Sequence, residues 1–250
     1  MTSPRLLFLA GLARSGTTAL LQVMNAHPEV VIGVERYKRL FSSEMVELSV
    51  ELFTPERFFD FSDGFTDHGP EEAARSGVDY PALQATWDRA SYVGDKMTAI
   101  RFERVHELLP DARFVFIVRD IDQVALSWDR RAQDAADPHW PESSDARASV
   151  ERWNTSLRRI RRAVRKHPDI TSVVEYHRFF GDPDATSLRA VLDSLRLPWE
   201  STIAAEFGRV HREYVDSVAG RDRTLSSEQR VLIDELADRR LWDAVVRLAS

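Results

Sequence analysis

Apolar and polar positions fall into short blocks along the 250-residue chain, and the blocks differ in period. A continuous apolar run bounded by a basic residue and Gly11 predicts a fully buried strand over Arg5–Ala10. Thr17–Asn25 then places Leu20, Leu21, Val23 and Met24 at helical spacing. His27-Pro28 ends that helix, because proline cannot continue it and disfavours helical backbone just before itself. Val30–Val34 reads as a second short strand. From 42 to 90 short helical patterns alternate with loops, punctuated by Pro55, Gly64, Gly69-Pro70, Gly77 and Pro81. Tyr92–Gly94 is predicted as a strand leading into Asp95-Lys96, and Phe102–Leu109 as a helix stopped by Pro110. Arg113–Val118 is the second strong buried strand, and Ile121–Arg131 a helix with Val124, Ala125 and Trp128 on one face.

The second half continues the alternation. Asp134–Ala148, rich in proline, serine and aspartate, reads as a mobile loop, and Val150–Arg165 as a basic amphipathic helix. Ser172–Tyr176 is predicted as a strand and Ala185–Leu195 as a helix. Ser226–Leu248 reads as one long C-terminal helix that opens on a capping box of Ser226 and Gln229. Strands alternating with helices imply an α/β fold: a parallel sheet flanked by helices in three layers, α/β/α. With no internal repeat, heptad array or linker in view, one domain over residues 1–250 is expected.

Composition narrows the chemistry. With 43% apolar residues the chain can bury a sizeable core, and a net charge of −6 gives no call for nucleic acid. Cysteine is absent, which removes disulfides, thiol nucleophiles and cysteine-bound metal centres. No metal-binding cluster is evident among the seven histidines. The N-terminal apolar stretch is too short to span a bilayer and lacks a signal-peptide layout, so a cytoplasmic protein without an integral membrane segment is expected. There are three lysines against 31 arginines, so anion binding must rest mainly on arginine. Two lone features read as structural: Trp153 and His106 both suit packing. The run Arg158-Arg159-Ile160-Arg161-Arg162 reads as a solvated helix face.

Two anion sites stand out. Gly11-Leu12-Ala13-Arg14-Ser15-Gly16-Thr17-Thr18 lies between a predicted buried strand and a predicted helix. Glycines at this spacing let backbone wrap an anion, the helix amino end supplies unpaired N–H groups, and the hydroxyls of Ser15, Thr17 and Thr18 add donors. The framework is that of a P-loop, but Thr17-Thr18 replaces its lysine, and the cation sits inside the loop as Arg14. The second site is Arg119, at the carboxyl end of a central strand, with Ser127 eight residues beyond it. Its planar guanidinium fork suits a phosphate dianion.

Together these segments resemble the sulfotransferases that use 3′-phosphoadenosine 5′-phosphosulfate (PAPS), most closely the bacterial and glycan-type members. The resemblance implies that Arg14 to Thr18 hold the 5′-phosphosulfate and that Arg119 and Ser127 hold the 3′-phosphate. It extends to the helix end Asn25–Val30, to Gly94-Asp95-Lys96, and to Val173–Asp184, where Tyr176 would lie near the adenine. Isoleucine at 121 replaces the family's usual proline, and the arginine-lysine-glycine loop of animal members is not recognisable. Arg209, Arg221 and Arg223 are candidates for its duty, with Arg221 preferred.

The implied reaction is in-line sulfuryl transfer, with Arg14 and loop N–H groups stabilising the moving group and no metal required. Glu35, just after the strand Val30–Val34, is the candidate base; its competing reading is an exposed glutamate paired with Arg36 or Lys38. Lys96 either donates to the sulfate or is a surface lysine. The acceptor would be a hydroxyl or amine of a glycan, glycolipid or small metabolite, in a pocket shaped by residues near 42–90 and 134–148. Two other readings stay open: a P-loop kinase or hydrolase, with Asp120 as a magnesium ligand, and a catalytically silent nucleotide-binding protein.

Overall fold

The computed structural model describes residues 4–42, 47–66, 68–134, 140–219 and 224–249. Five strands, β1 (Arg5–Ala10), β2 (Val30–Val34), β3 (Tyr92–Met97), β4 (Arg113–Val118) and β5 (Thr171–Glu175), form one sheet in the order β2-β3-β1-β4-β5. Every pairing is parallel. The central strand β1 is buried on both faces, as its unbroken apolar run requires, and Phe8 stacks on Phe114 with ring centroids 5.5 Å apart. β3 lies so close to β1 that a Cβ at Gly94 would fall 1.7 Å from the Leu7 carbonyl oxygen. Only glycine fits there.

Between β1 and β2 lies α1 (Thr17–Asn25). Four short helices follow β2: α2 (Lys38–Ser42), α3 (Pro55–Phe58), α4 (Pro70–Arg75) and α5 (Tyr80–Thr86). α6 (Phe102–Leu108) joins β3 to β4, and α7 (Ile121–Ala132) and α8 (Ala146–Lys166) join β4 to β5. The chain ends in α9 (Tyr176–Gly181), α10 (Thr186–Leu195), α11 (Ser201–Ala219), α12 (Ser227–Leu236) and α13 (Arg239–Val246). The step from β1 to β2 runs one way along the sheet and that from β3 to β4 the other. Right-handed crossovers therefore put α1 on one face and α6 and α8 on the other. Packing agrees: α1 meets β1, β2, β3 and α11, while α8 meets α6, α7, α12 and α13.

Several boundaries differ from expectation. β3 runs on to Met97, so Asp95 and Lys96 are strand residues. Tyr176 starts a helix rather than ending a strand, because the Glu175 carboxylate accepts the N–H groups of His177 and Arg178. α8 starts at Ala146, where Asp145 caps it. Trp140 packs edge-on against Trp128 and donates to the Ser144 carbonyl, so 140–145 form a packed turn rather than the expected loop. The rest of that segment, 135–139, lies outside the described residues. The C-terminal helix is two helices. Ser226 and Gln229 do form the capping box, but the chain turns extended at Ala237 and Asp238 caps a new start. Asn154 on α8 holds the break from both sides, donating to the Leu236 carbonyl and accepting from the Asp238 N–H. Trp153 is core as expected, and the arginines of 158–162 are exposed.

Candidate functional site

The loop after β1 turns to one face of the sheet, while those after β3 and β4 turn to the other. That divergence opens a crevice at the strand ends, where parallel sheets take ligands. In the loop, Arg14 and Gly16 both adopt left-handed backbone, with φ of 72° and 96°. Gly16 is obligatory twice over, since a Cβ there would also lie 2.6 Å from the Tyr176 ring. Arginine pays a steric cost for the same conformation, and such strain concentrates at functional sites. Ser15 is buried, with its N–H bonded to the Leu12 carbonyl, and Trp128 donates its indole N–H to the Ala13 carbonyl at 3.0 Å.

The two predicted anion sites meet. Arg14 Nε donates to Ser127 Oγ at 3.0 Å, and Arg119 donates to the Arg14 carbonyl at 3.1 Å. The Arg119 guanidinium lies over the Tyr176 ring, 3.9 Å from its centroid. Trp153 fixes the Arg119 backbone by donating to its carbonyl at 2.9 Å. Arg14, Gly16, Thr17, Thr18, Arg119, Ser127 and Tyr176 line one cleft of about 440 Å³. A neighbouring cleft of about 550 Å³ shares Arg119 and Tyr176 and extends past Gln123 and His177. Tyr214, from the unanticipated α11, closes this side through a 2.7 Å contact with His177 Nδ1. Ile203, Phe207 and Val210 give α11 an apolar helical stripe, the signal by which sequence reasoning could have found it.

Glu35 and Lys96 form a second cluster: Glu35 follows β2, two strands and about 10 Å from β1 by strand spacing, and Lys96 lies on the intervening β3, which pairs directly with β1. Glu35 adopts left-handed backbone with φ of 52°. The turn is held by Asp95, whose carboxylate accepts the N–H groups of Arg36 and Tyr37, both at 3.0 Å. The Glu35 carboxylate is met by Lys96 Nζ at 3.3 Å and Thr98 Oγ1 at 3.2 Å on one oxygen. His68 Nε2 at 3.2 Å and Lys38 Nζ at 3.3 Å meet the other. Burial, the largest influence, pushes this carboxyl up, but the His68 hydrogen bond and the charges of Lys96 and Lys38 outweigh it. They hold Glu35 well below the usual carboxylate range. Asp95 goes the other way: burial lifts it to about 7.

Glu35 and Lys96 are both buried, so neither is the exposed side chain of the competing readings, although the Lys38 pairing is present. Arg36 is fully buried and pairs with Asp63 instead. Asp120 caps α7 and pairs with Arg239 on α13. Arg209 is engaged by Glu206 and Glu213 and reaches Gln22. Arg221 and Arg223 lie outside the described residues. His68 and Thr98 went unnoticed in the sequence, since each sits in a loop with no motif around it. Among the described residues no group of three or more His, Asp or Glu is placed to hold a metal ion, and no helix is long and apolar enough to cross a membrane.

Comparison with known proteins gives this geometry its relatives. A sequence model described as "Sulfotransferase family" matches residues 4–201. A Caenorhabditis briggsae chain named a protein-tyrosine sulfotransferase is 26% identical over 188 residues, which cover 72% of this chain and 61% of that protein. The chain thus spans about three fifths of that relative's length. The sulfotransferase domain of the Synechococcus PCC 7002 olefin synthase superposes with a TM-score of 0.56 at 17% identity, covering 96% of each chain. A mouse sulfotransferase complexed with PAP gives 0.51 at 14% identity, covering 98% of this chain and 83% of that one.

Proposed function

The chain belongs to the sulfotransferase family, and from that premise we propose that it moves a sulfuryl group from PAPS to a hydroxyl or amine of a glycan, glycolipid or small metabolite. One observation carries the donor assignment. Two arginines from beyond the ends of adjacent strands meet at one loop: Arg14 donates to Ser127, and Arg119, stacked on the Tyr176 ring, donates to the Arg14 carbonyl. A nucleotide with phosphates at two positions asks for two such cations and a flat surface between them. The fit is supported by Gly16, whose missing Cβ lets the Tyr176 ring pack against the loop backbone.

On this reading the domain works as one unit over residues 1–250. Arg14, Ser15, Gly16, Thr17 and Thr18 hold the 5′ end of the donor, Arg119 and Ser127 the 3′-phosphate, and Tyr176 the base. Arg221 is the proposed cover for the 3′-phosphate. When bound, the donor supplies an activated sulfuryl group; the protein supplies position and charge. Arg14 and the loop N–H groups face the developing charge, and no metal enters. Lys96 donates toward the transferring group and keeps Glu35 ionised. Glu35 takes the acceptor's proton. An incoming hydroxyl reaches it by replacing Thr98, a neutral hydroxyl donor on its carboxylate.

Asp120 is committed to a helix cap and to Arg239, which weighs against a magnesium-dependent kinase or hydrolase. The fully partnered Glu35 is the observation that favours a silent nucleotide-binding protein, and it calls for a direct test. Titration calorimetry with adenosine 3′,5′-bisphosphate against ATP plus magnesium addresses the donor, and preference for ATP with metal would overturn the reading. Glu35→Gln should then slow transfer by orders of magnitude while sparing bisphosphate binding; unchanged turnover removes Glu35 as base.

A further inference from the structure

Behind the loop, on the α6 and α8 side of the sheet, lies a separate cavity of about 550 Å³. Its floor is apolar: Ile100, Phe102, Phe116 and Trp128 face it from the strand ends and helices. Its near end is formed by Thr98 and by Gly11 to Ala13, the outer side of the same loop whose inner side lines the donor cleft. Thr98 also donates to Glu35, so it links this cavity to the second cluster. Its far wall is one face of α8, where Arg152 and Arg159 lie seven residues apart, two turns along one side. Arg152 rests over the Trp128 ring at 5.2 Å. Glu151 is the single acid among the lining residues, against two arginines.

These features select a ligand class. A sugar laid on the phenylalanine and isoleucine floor would lose water from its hydroxyls without gaining partners, at a cost of about 1–3 kcal/mol for each one stranded. A flat apolar body loses nothing there and suits the volume, which lies within the usual range for small-molecule sites. Polar side chains come from two places: Thr98, which is bonded to Glu35, and the α8 wall, where Thr155 and Ser156 stand with the two arginines and Glu151.

We propose that the acceptor is a small amphipathic alcohol or phenol with a rigid apolar body, whose hydroxyl lies at Thr98 and Glu35 and whose anionic group, at the opposite end, is held by Arg159 and Arg152. This rests on the sulfotransferase reading for the meaning of the hydroxyl end, while the cavity's preference for a ligand stands on its own lining.

Binding is measured on the full chain, with and without saturating adenosine 3′,5′-bisphosphate, by titration calorimetry with three probes. These are a hydroxynaphthoic acid with hydroxyl and carboxyl at opposite ends, the naphthol lacking the carboxyl, and a neutral disaccharide. The hydroxynaphthoate should bind about tenfold tighter than the naphthol, the gain expected of one charge-assisted contact, and the disaccharide should give no heat. In Arg159→Ala that tenfold ratio should collapse towards one. Equal affinity of the two aryl probes, an unchanged ratio in the variant, or binding of the disaccharide in their place would each overturn the inference. Failure of the bisphosphate to bind would instead defeat the donor assignment, and the aryl titrations without bisphosphate still decide the cavity's ligand class.

Discussion

Glu35 lies in a backbone turn that Asp95 holds from β3, yet the pKa values of the two carboxyl groups are driven apart. Such opposed environments are how a protein assigns separate duties to two acids. Glu35 is stabilised in its charged form, so its contribution to stability is present above the usual glutamate range and is lost as pH falls from that range down through its own lowered pKa. Asp95 is raised, so its contribution is complete below about 3.8 and is lost as pH rises through about 7. Urea midpoints taken from pH 5 to pH 8 should therefore fall more steeply in the wild type than in Asp95→Asn; parallel profiles would show that Asp95 does not titrate there. His68 is the partner that most lowers Glu35. His68→Ala should accordingly raise the Glu35 pKa, read by carboxylate chemical shift in a titration, with donor binding unaffected. For Glu35→Gln, losing a positioned base predicts a rate about 10²–10⁴-fold lower in sulfate-transfer assays.

The elements that could be read from sequence were those whose pattern is local. β1, β2, β4 and α1 fall at their expected bounds because each is an apolar block closed by a glycine, proline or charged residue. The break at Ala237 was hidden, since its cause is Asn154, 83 residues upstream of that alanine and on another helix. Likewise Arg14, Arg119 and Ser127 lie in a recognisable frame, whereas His68, Thr66 and Thr98 reach Glu35 from loops whose sequences carry no period. The loop between β1 and α1 can be tested as an element. Gly16→Ala asks a side chain to adopt left-handed backbone and to enter the Tyr176 ring at the same time. About 1–3 kcal/mol of stability should be lost by chemical denaturation, with bisphosphate affinity falling in parallel. Trp128→Phe, which removes the indole donor to the Ala13 carbonyl, should cost about 1 kcal/mol and loosen the loop without emptying the core.

At the scale of the molecule one loop divides two compartments, a cationic cleft on its inner side and an apolar cavity on its outer side. Arg119→Ala should therefore weaken bisphosphate binding about tenfold or more while leaving aryl binding in the outer cavity within about twofold, both read by calorimetry. The family's recognised span stops at residue 201, but the cationic cleft of this chain does not. Tyr214 touches His177, and Arg239 clasps Asp120 and Asp122 beside the Arg119 strand end. A chimera joined at that boundary would inherit a complete phosphate loop and still lack its buttress. Recombining two members of the family should keep nucleotide affinity only when the tail and residues 119–123 descend from the same parent.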